Sequence, residues 1–312
     1  MKKYVFGIDI GGTTIKMGLF KSEGILEETW EIQTRTQDGG SLILTDIANE
    51  ISNKLNEKGI SKDDIEGIGL GVPGPVSEDG TVLKCANIGW GVINVEKKLE
   101  ELTGLKVKAG NDANVAALGE MWKGGGKGYK NVVMVTLGTG VGGGIIIDEK
   151  IVSGANGAGG EIGHIHMNDD ESETCGCGKR GCLEQYASAT GIVKYANKLM
   201  DEVDTPSVLR KIEYISAKAI FEGAKEGDSL ALEIVEFFGD QLGRALSYIT
   251  CVCDPEVIVI GGGVSKAGEI ITNIVSKYYK QYAFHASRNT KFSLAELGNE
   301  AGMFGGAKLI IK

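Results

Sequence analysis

Three short runs open the chain: KYVFGIDI (3–10), TIKMGLF (14–20) and GILEETWEIQT (24–34). All are rich in β-branched and aromatic residues and separated by glycine, a pattern that predicts three successive strands in an antiparallel meander. SLILTDIANEISNKLNEKG (41–59) places its apolar residues at helical spacing and ends on glycine, so it reads as a helix with a C-terminal stop. IEGIGLGV (65–72) is continuous enough for a buried strand, VEKKLEELTG (95–104) reads as a helix and LKVKAG (105–110) as another strand, before a helix opens at NDANVAALGEMW (111–122).

The pattern then starts again. NVVMVTLG (131–138) and VGGGIIID (141–148) predict a hairpin, to which KIVSG (150–154) adds a possible third strand. Two or three helices are expected between 182 and 251. PEVIVIGGG (255–263) reads as a buried strand leading into a helix from about residue 265 to 279, FSLAELG (292–298) closes the sheet, and EAGMFGGAKLIIK (300–312) is a last helix. Two halves of similar order predict an α/β protein of two domains with a cleft between them. The smaller is expected over 1–115, with 300–312 packing back on it, and the larger over 116–299.

Three glycine-rich turns in this scheme could hold an anion. In DIGGTTIK (9–16), Gly11 and Gly12 let the turn expose backbone N–H groups, Thr13 and Thr14 add hydroxyls and Lys16 is the one cation. A tight hairpin without a ligand would use the same residues. LGTGVGGG (137–144) matches G-x-G-x-x-G at Gly138, Gly140 and Gly143, yet a strand follows it where a dinucleotide fold needs a helix. It is therefore read as a second phosphate-binding hairpin, with Gly138, Thr139 and Gly140 at its turn. IGGGVS (260–265) runs from strand to helix, so Gly262 and Gly263 could let the backbone approach a flat or anionic group, or could form an ordinary turn.

Composition narrows the chemistry. Forty-eight glycines beside only four prolines describe many tight turns rather than a disordered linker. A net charge of -9 argues against general nucleic-acid binding, and no apolar run reaches the roughly 20 residues of a membrane span. The N-terminus has too short an apolar stretch, broken by Asp9, to be a signal peptide, so a cytoplasmic chain is expected and disulfides are not.

That expectation shapes the reading of EIGHIHMNDDESETCGCGKRGCLE (161–184), where three of six cysteines fall within eight positions. Cys175, Cys177 and Cys182 with an upstream histidine supply a closed tetrahedral set, the mark of a structural zinc site rather than a catalytic one. The C-x-C-x4-C spacing differs from paired C-x2-C fingers, so a redox or fortuitous cluster stays open, as does the choice between His164 and His166. Cys85, Cys251 and Cys253 lie among apolar neighbours and are expected to be buried small hydrophobes. Trp90 is expected to pack rather than to stack on a ligand.

Taken together, DIGGTT, GVPGPV (71–76), NDAN (111–114), LGTGVGGG, EIGH (161–164) and CGCGKRGCLE (175–184) resemble the ROK family of repressors, unassigned reading frames and sugar kinases, in order and over nearly the whole chain. The resemblance implies the two-domain actin/hexokinase-like (ribonuclease H-like) α/β fold. It is closest to the bacterial glucokinase branch, and implies transfer of the γ-phosphate of ATP, as its magnesium complex, to the 6-hydroxyl of a hexose, with glucose expected.

Asn111 and Asp112 sit at a strand–helix junction, where a plain helix cap would be the ordinary reading. By the resemblance Asp112 is the general base. At the usual aspartate pKa of about 3.9 it is ionised at neutral pH, as a loose phosphoryl transfer requires. Asn87, Asn111, Glu161, His164 and Glu184 are implied to touch the sugar. Asp9 is implied to orient magnesium through water, while zinc on His164, Cys175, Cys177 and Cys182 has a structural role.

The family also suggests a homodimer. Kinases for fructose, allose, N-acetylglucosamine or N-acetylmannosamine are the near alternatives, and polyphosphate in place of ATP stays open. A sugar-responsive repressor would carry a helix-turn-helix domain before GIDIGGT, which is not expected here; an actin-like ATPase would have no use for the cysteine loop.

Overall fold

In the computed structural model, which describes residues 2–83 and 85–311, the opening meander is present as β1 (Tyr4–Ile10), β2 (Thr14–Lys21) and β3 (Leu26–Gln33). Met1 and Lys312, the ends of the two expected N- and C-terminal spans, lie outside the described residues, as does Lys84. The register pairs Asp9 with Lys16 across β1 and β2, which puts a carboxylate and an ammonium on neighbouring strands beside the first glycine turn.

A short irregular turn, α1 (Gln37–Gly40), precedes α2 (Ile43–Lys58), which ends on the left-handed Gly59. Next come β4 (Ile65–Val72), the short pair β5 (Thr81–Val82) and β6 (Ile93–Asn94), which the apolar pattern does not announce, α3 (Val95–Thr103), β7 (Val107–Asn111) and α4 (Asp112–Lys123). β4 lies parallel to β1 and β7, so the first sheet has the order β3-β2-β1-β4-β7.

The second sheet has the order β10-β9-β8-β11-β12, from β8 (Val132–Leu137), β9 (Val141–Ile147), β10 (Lys150–Ile151), β11 (Val257–Gly261) and β12 (Lys291–Leu294). Between β10 and β11 come four helices: the single turn α5 (Glu184–Ala187), α6 (Ala189–Glu202), α7 (Ala217–Lys225) and α8 (Ser229–Cys253). After β11 the chain makes a 3₁₀ turn over Val264–Ala267 and breaks at the left-handed Gly268. Only then does it enter α9 (Glu269–Tyr282), so the helix expected from residue 265 begins four residues later.

The last helix, α10 (Ala301–Ile310), closes the chain. Contacts divide it into unit 1, residues 2–128, 144–160 and 297–311, and unit 2, residues 129–143 and 161–296. α4 belongs wholly to unit 1 for a physical reason. A Cβ on Gly119 would strike the carbonyl of Ala301, and one on Gly305 the carbonyl of Val115, so α4 and α10 meet backbone to backbone. Gly7 and Gly69 admit α10 onto β1 and β4 in the same way.

Val5, Phe20, Met303, Ala307 and Ile310 form a small apolar cluster at this seam, and a separate apolar core of unit 1 includes Ile8, Ile10, Met17, Leu70, Trp90 and Leu99; Trp90 packs as expected, its indole donating to Gly40 O at 3.0 Å. Glu120 of α4 is 0% exposed and accepts hydrogen bonds from Gly125 N and Leu297 N, both at 2.9 Å, tying two surrounding loops to the helix.

Of the three cysteines expected to be buried, only Cys85 is. Cys251 is exposed and Cys253 half-buried. Apolar neighbours in sequence mislead here, because helical rotation turns the end of α8 outward, where Val252 is 88% exposed. No helix among the described residues is long and apolar enough to cross a membrane.

Candidate active site

In unit 1, Asn111 ends β7 and caps α4: its Oδ1 accepts from Asn114 N at 3.1 Å. Its amide nitrogen donates to Gly74 O at 3.1 Å and to Asp112 Oδ1 at 3.0 Å, and Ala113 N also donates to that oxygen at 2.8 Å. In this arrangement Asn111 acts on Asp112, fixing the carboxylate at the first turn of a helix, where negative charge is favoured. Asn114, fully buried and not singled out by the sequence, donates to Gly159 O at 2.9 Å and so holds the 154–160 loop against the motif. Asn87 is exposed in the turn Ala86–Ile88.

Asp9 lies one residue before the end of β1, near enough to Asp112 to feel its charge. Burial first, and then the charge of Asp112, raise its carboxyl pKa to about 6, against the lowering pull of Lys16. Its carboxylate rests on Gly302 in the first turn of α10, where a Cβ would stand 2.6 Å from the carboxylate carbon. Two nearby carboxylates, one of them buried, form a donor set that suits a hard cation. Lys16 also donates to Asn299 O at 2.9 Å.

Glycine at 11 is explained by close approach, since a Cβ there would meet Thr14 O at 2.7 Å, while the face of Gly12 is open. Thr13 is exposed in the turn and Thr14 starts β2.

Asp9 carries an expected result for stability. Its folded pKa of about 6 lies above the unfolded value of 3.8. Its favourable contribution is therefore complete below pH 3.8 and is lost as pH rises through about 6, leaving the ionised group at pH 7 a burden on the order of 3 kcal/mol. Asp9→Asn should raise the melting temperature at pH 7 without magnesium or nucleotide, and the gain should vanish below pH 4. Calorimetric melting across that range checks it; a lower melting temperature at pH 7 would contradict it.

Unit 2 holds two further constellations. The cysteine loop is shaped by a turn in which Gly178 N donates to Cys175 O at 2.8 Å and Cys175 N to Lys179 O at 2.7 Å. It brings the ligand atoms of His164, Cys175, Cys177 and Cys182 within 4.8 Å of one another. Cys177 Sγ lies 3.6 Å from Cys182 Sγ, and Cys175 Sγ 3.7 Å from His164 Nδ1. A tetrahedron with metal–sulfur bonds of about 2.3 Å and metal–nitrogen bonds of about 2.0 Å has edges of roughly 3.5–3.8 Å, and the Cys177–Cys182 and Cys175–His164 separations match two of its six edges.

Burial, followed by the Cys177 and Cys175 thiols, pushes Cys182 up to about 12. Cys177 goes the other way, lowered first by the backbone N–H of Lys179. His166 is not part of the cluster: its ring nitrogens engage Arg180 O at 3.0 Å and Asp169 at 2.8 Å. His164 Nε2 turns instead toward Glu161, 3.9 Å away.

The glycine hairpin between β8 and β9 borders a cavity of about 570 Å³ whose walls include Gly138, Thr139, Lys218, Phe221, Gly263 and Lys266. Gly262 does not line it; its left-handed turn lies against the backbone of Leu137, where a Cβ would come within 2.5 Å of the carbonyl. α7 supplies a wall that sequence reading missed, because its amphipathic pattern looks like any surface helix. A second cavity, about 370 Å³, runs from Thr139 and Gly140 to Cys175, Glu184 and Ser188. Glu184 thus stands between the cysteine loop and the hairpin.

An α/β chain with paired glycine hairpins, a capped aspartate and a sulfur-rich loop has the parts of an actin/hexokinase-like phosphotransferase. The ROK family model matches residues 5–312, and the chain belongs to the ROK family. It is 44% identical to a glucokinase of Halalkalibacterium halodurans over 99% of this chain and 95% of the relative, and 35% identical to a glucokinase of Streptomyces coelicolor over 97% and 96%. Its fold is similar to the crystal structure of a ROK family glucokinase from Streptomyces griseus in complex with glucose and AMPPNP, with TM-score 0.74, 34% identity and 98% of each chain covered.

Proposed function

We infer that this chain is an ATP-dependent hexose kinase, a glucokinase, forming a hexose 6-phosphate and ADP. What carries the reading is the likeness to glucokinases along essentially the whole chain, combined with a tetrahedral cysteine–histidine cluster flanked by Glu161 and Glu184. Asp112 serves as general base. It accepts a hydrogen bond from the attacking sugar hydroxyl and takes its proton late, after attack on phosphorus has begun. Glu161, Glu184 and Nε2 of His164 receive sugar hydroxyls, and Asn87 adds a polar contact.

The 570 Å³ cavity takes the nucleoside, and Gly138, Thr139 and Gly140 meet its phosphates. Gly11, Gly12, Thr13 and Thr14 form the other phosphate turn, with Lys16 supplying charge. Asp9 would hold magnesium through water, and the ion would supply neutralisation of phosphate charge. His164, Cys175, Cys177 and Cys182 would hold zinc, which would supply a structural anchor for the loop that carries the sugar ligands. The chain works in the cytoplasm as a homodimer.

A coupled assay of ADP release across glucose, fructose, allose, mannose and the N-acetylated hexosamines tests the reading. Glucose should give the highest kcat/KM. Release that no hexose stimulates would remove the proposal, and a preference for an acetylated sugar would keep the kinase and replace the substrate.

A further inference from the structure

Glu184 does more than face a sugar. It opens α5 two residues after the ligand Cys182, and its Oε2 accepts a hydrogen bond from Val141 N, the first residue of β9, at 3.1 Å. The same oxygen occupies the space that a Cβ at Gly140 would need, so a side chain there would displace the carboxylate. Its other oxygen lies 3.5 Å from Cys175 Sγ.

At the far end of the same turn, Ala189 N donates to Gly138 O at 2.8 Å, while Gly138 N closes the hairpin on Gly140 O at 3.0 Å. Gly163, one residue before the ligand His164, packs on the carbonyl side of Val141, where a Cβ would collide. The peptide at Val141 is therefore held between Glu184 and Gly163, both parts of the metal-binding segment.

We propose that Glu184 is a positioning residue for the nucleotide: its carboxylate shapes the Gly138–Val141 hairpin and links the metal loop to phosphate binding, in addition to any contact with sugar. This rests on the kinase reading above. A group that only binds sugar has no influence on nucleotide affinity when sugar is absent. A group that sets the hairpin does.

The experiment is calorimetric titration of ADP, without sugar, into metal-loaded wild type, Glu184→Gln, Glu184→Ala, Gly140→Ala and the double variant Gly140→Ala/Glu184→Ala. Glu184→Ala is expected to weaken ADP about tenfold. Glu184→Gln keeps an amide oxygen for Val141 N and should stay within about threefold of wild type. Gly140→Ala should weaken ADP alone, by displacing the carboxylate, and add nothing in the Glu184→Ala background, where the collision is gone.

Unchanged ADP affinity in Glu184→Ala and Gly140→Ala, or effects that simply multiply in the double variant, would overturn the inference while leaving the kinase reading intact. Should Glu184→Ala fail to fold, Glu184→Asp, which keeps the charge and every metal ligand but is one methylene too short to reach Val141 N, decides in its place: wild-type ADP affinity overturns the proposal and weakened affinity supports it. Wild type that binds no ADP would overturn the kinase reading itself, and this inference with it.

Discussion

Asp112→Ala should reduce hexose-dependent ADP release by about a thousandfold, within the range that a positioned general base contributes, while glucose still binds. The carboxylate is held at Oδ1 by Asn111 and Ala113, so its orientation is fixed before substrate arrives. Phosphoryl transfer involves little bond-making by the protein, and an acceptor aimed at the sugar hydroxyl is needed chiefly to orient the nucleophile and receive its proton.

The substitution also removes a charge at a helix start, which costs only about 0.5 kcal/mol. Loss of fold therefore does not account for the expected loss of rate. A second readout separates the two. Asp9 loses the neighbouring charge that raises its pKa, so its titration should move down from about 6 in the variant. Turnover within tenfold of wild type, in a folded variant that binds glucose, would remove Asp112 from the mechanism.

Cys177→Ser should lower metal affinity by at least about a hundredfold, since even partners behind a ligand are worth ten- to a hundredfold, and should weaken glucose binding with it. Cys177 is the exposed member of the cluster, on the turn that Gly178 N closes onto Cys175 O. In the metal-loaded wild type, iodoacetamide should label exposed Cys251 and spare Cys175, Cys177 and Cys182. After chelation Cys177, exposed and held below the usual thiol range by backbone donation from Lys179, should react as well. Elemental analysis that finds stoichiometric zinc in the variant, or a zinc-free variant with normal glucose affinity, would refute the anchor.

How much of this was legible in the chain depends on how local each signal is. The meander, β4 and α4 are written in apolar period and in the Asn111 cap, and they appear within one or two residues of expectation. The cysteine–histidine cluster is legible because cysteines at C-x-C-x4-C spacing converge on their own loop, and His164 rather than His166 joins them because the ring of His166 is taken up by Arg180 O and Asp169.

Other features depend on partners remote in sequence. The bond from Val141 to Glu184 joins residues 43 apart, and nothing in either neighbourhood announces it. The wall that α7 contributes beside Gly138 is equally silent, because an amphipathic helix does not reveal what stands on its polar side. Cys251 shows the converse: its neighbours are apolar, yet the rotation of α8 decides its exposure.

The close seam of α10 with β1, β4 and α4 bears on how the molecule is made. A ribosome exports the first 128 residues of unit 1 long before it reaches residue 301, so the glycine-lined faces at Gly7, Gly69 and Gly119 wait without their partner through most of synthesis. The first unit of this chain to begin translation is the last to be completed, and chaperones that shield sheet faces would meet it during that interval.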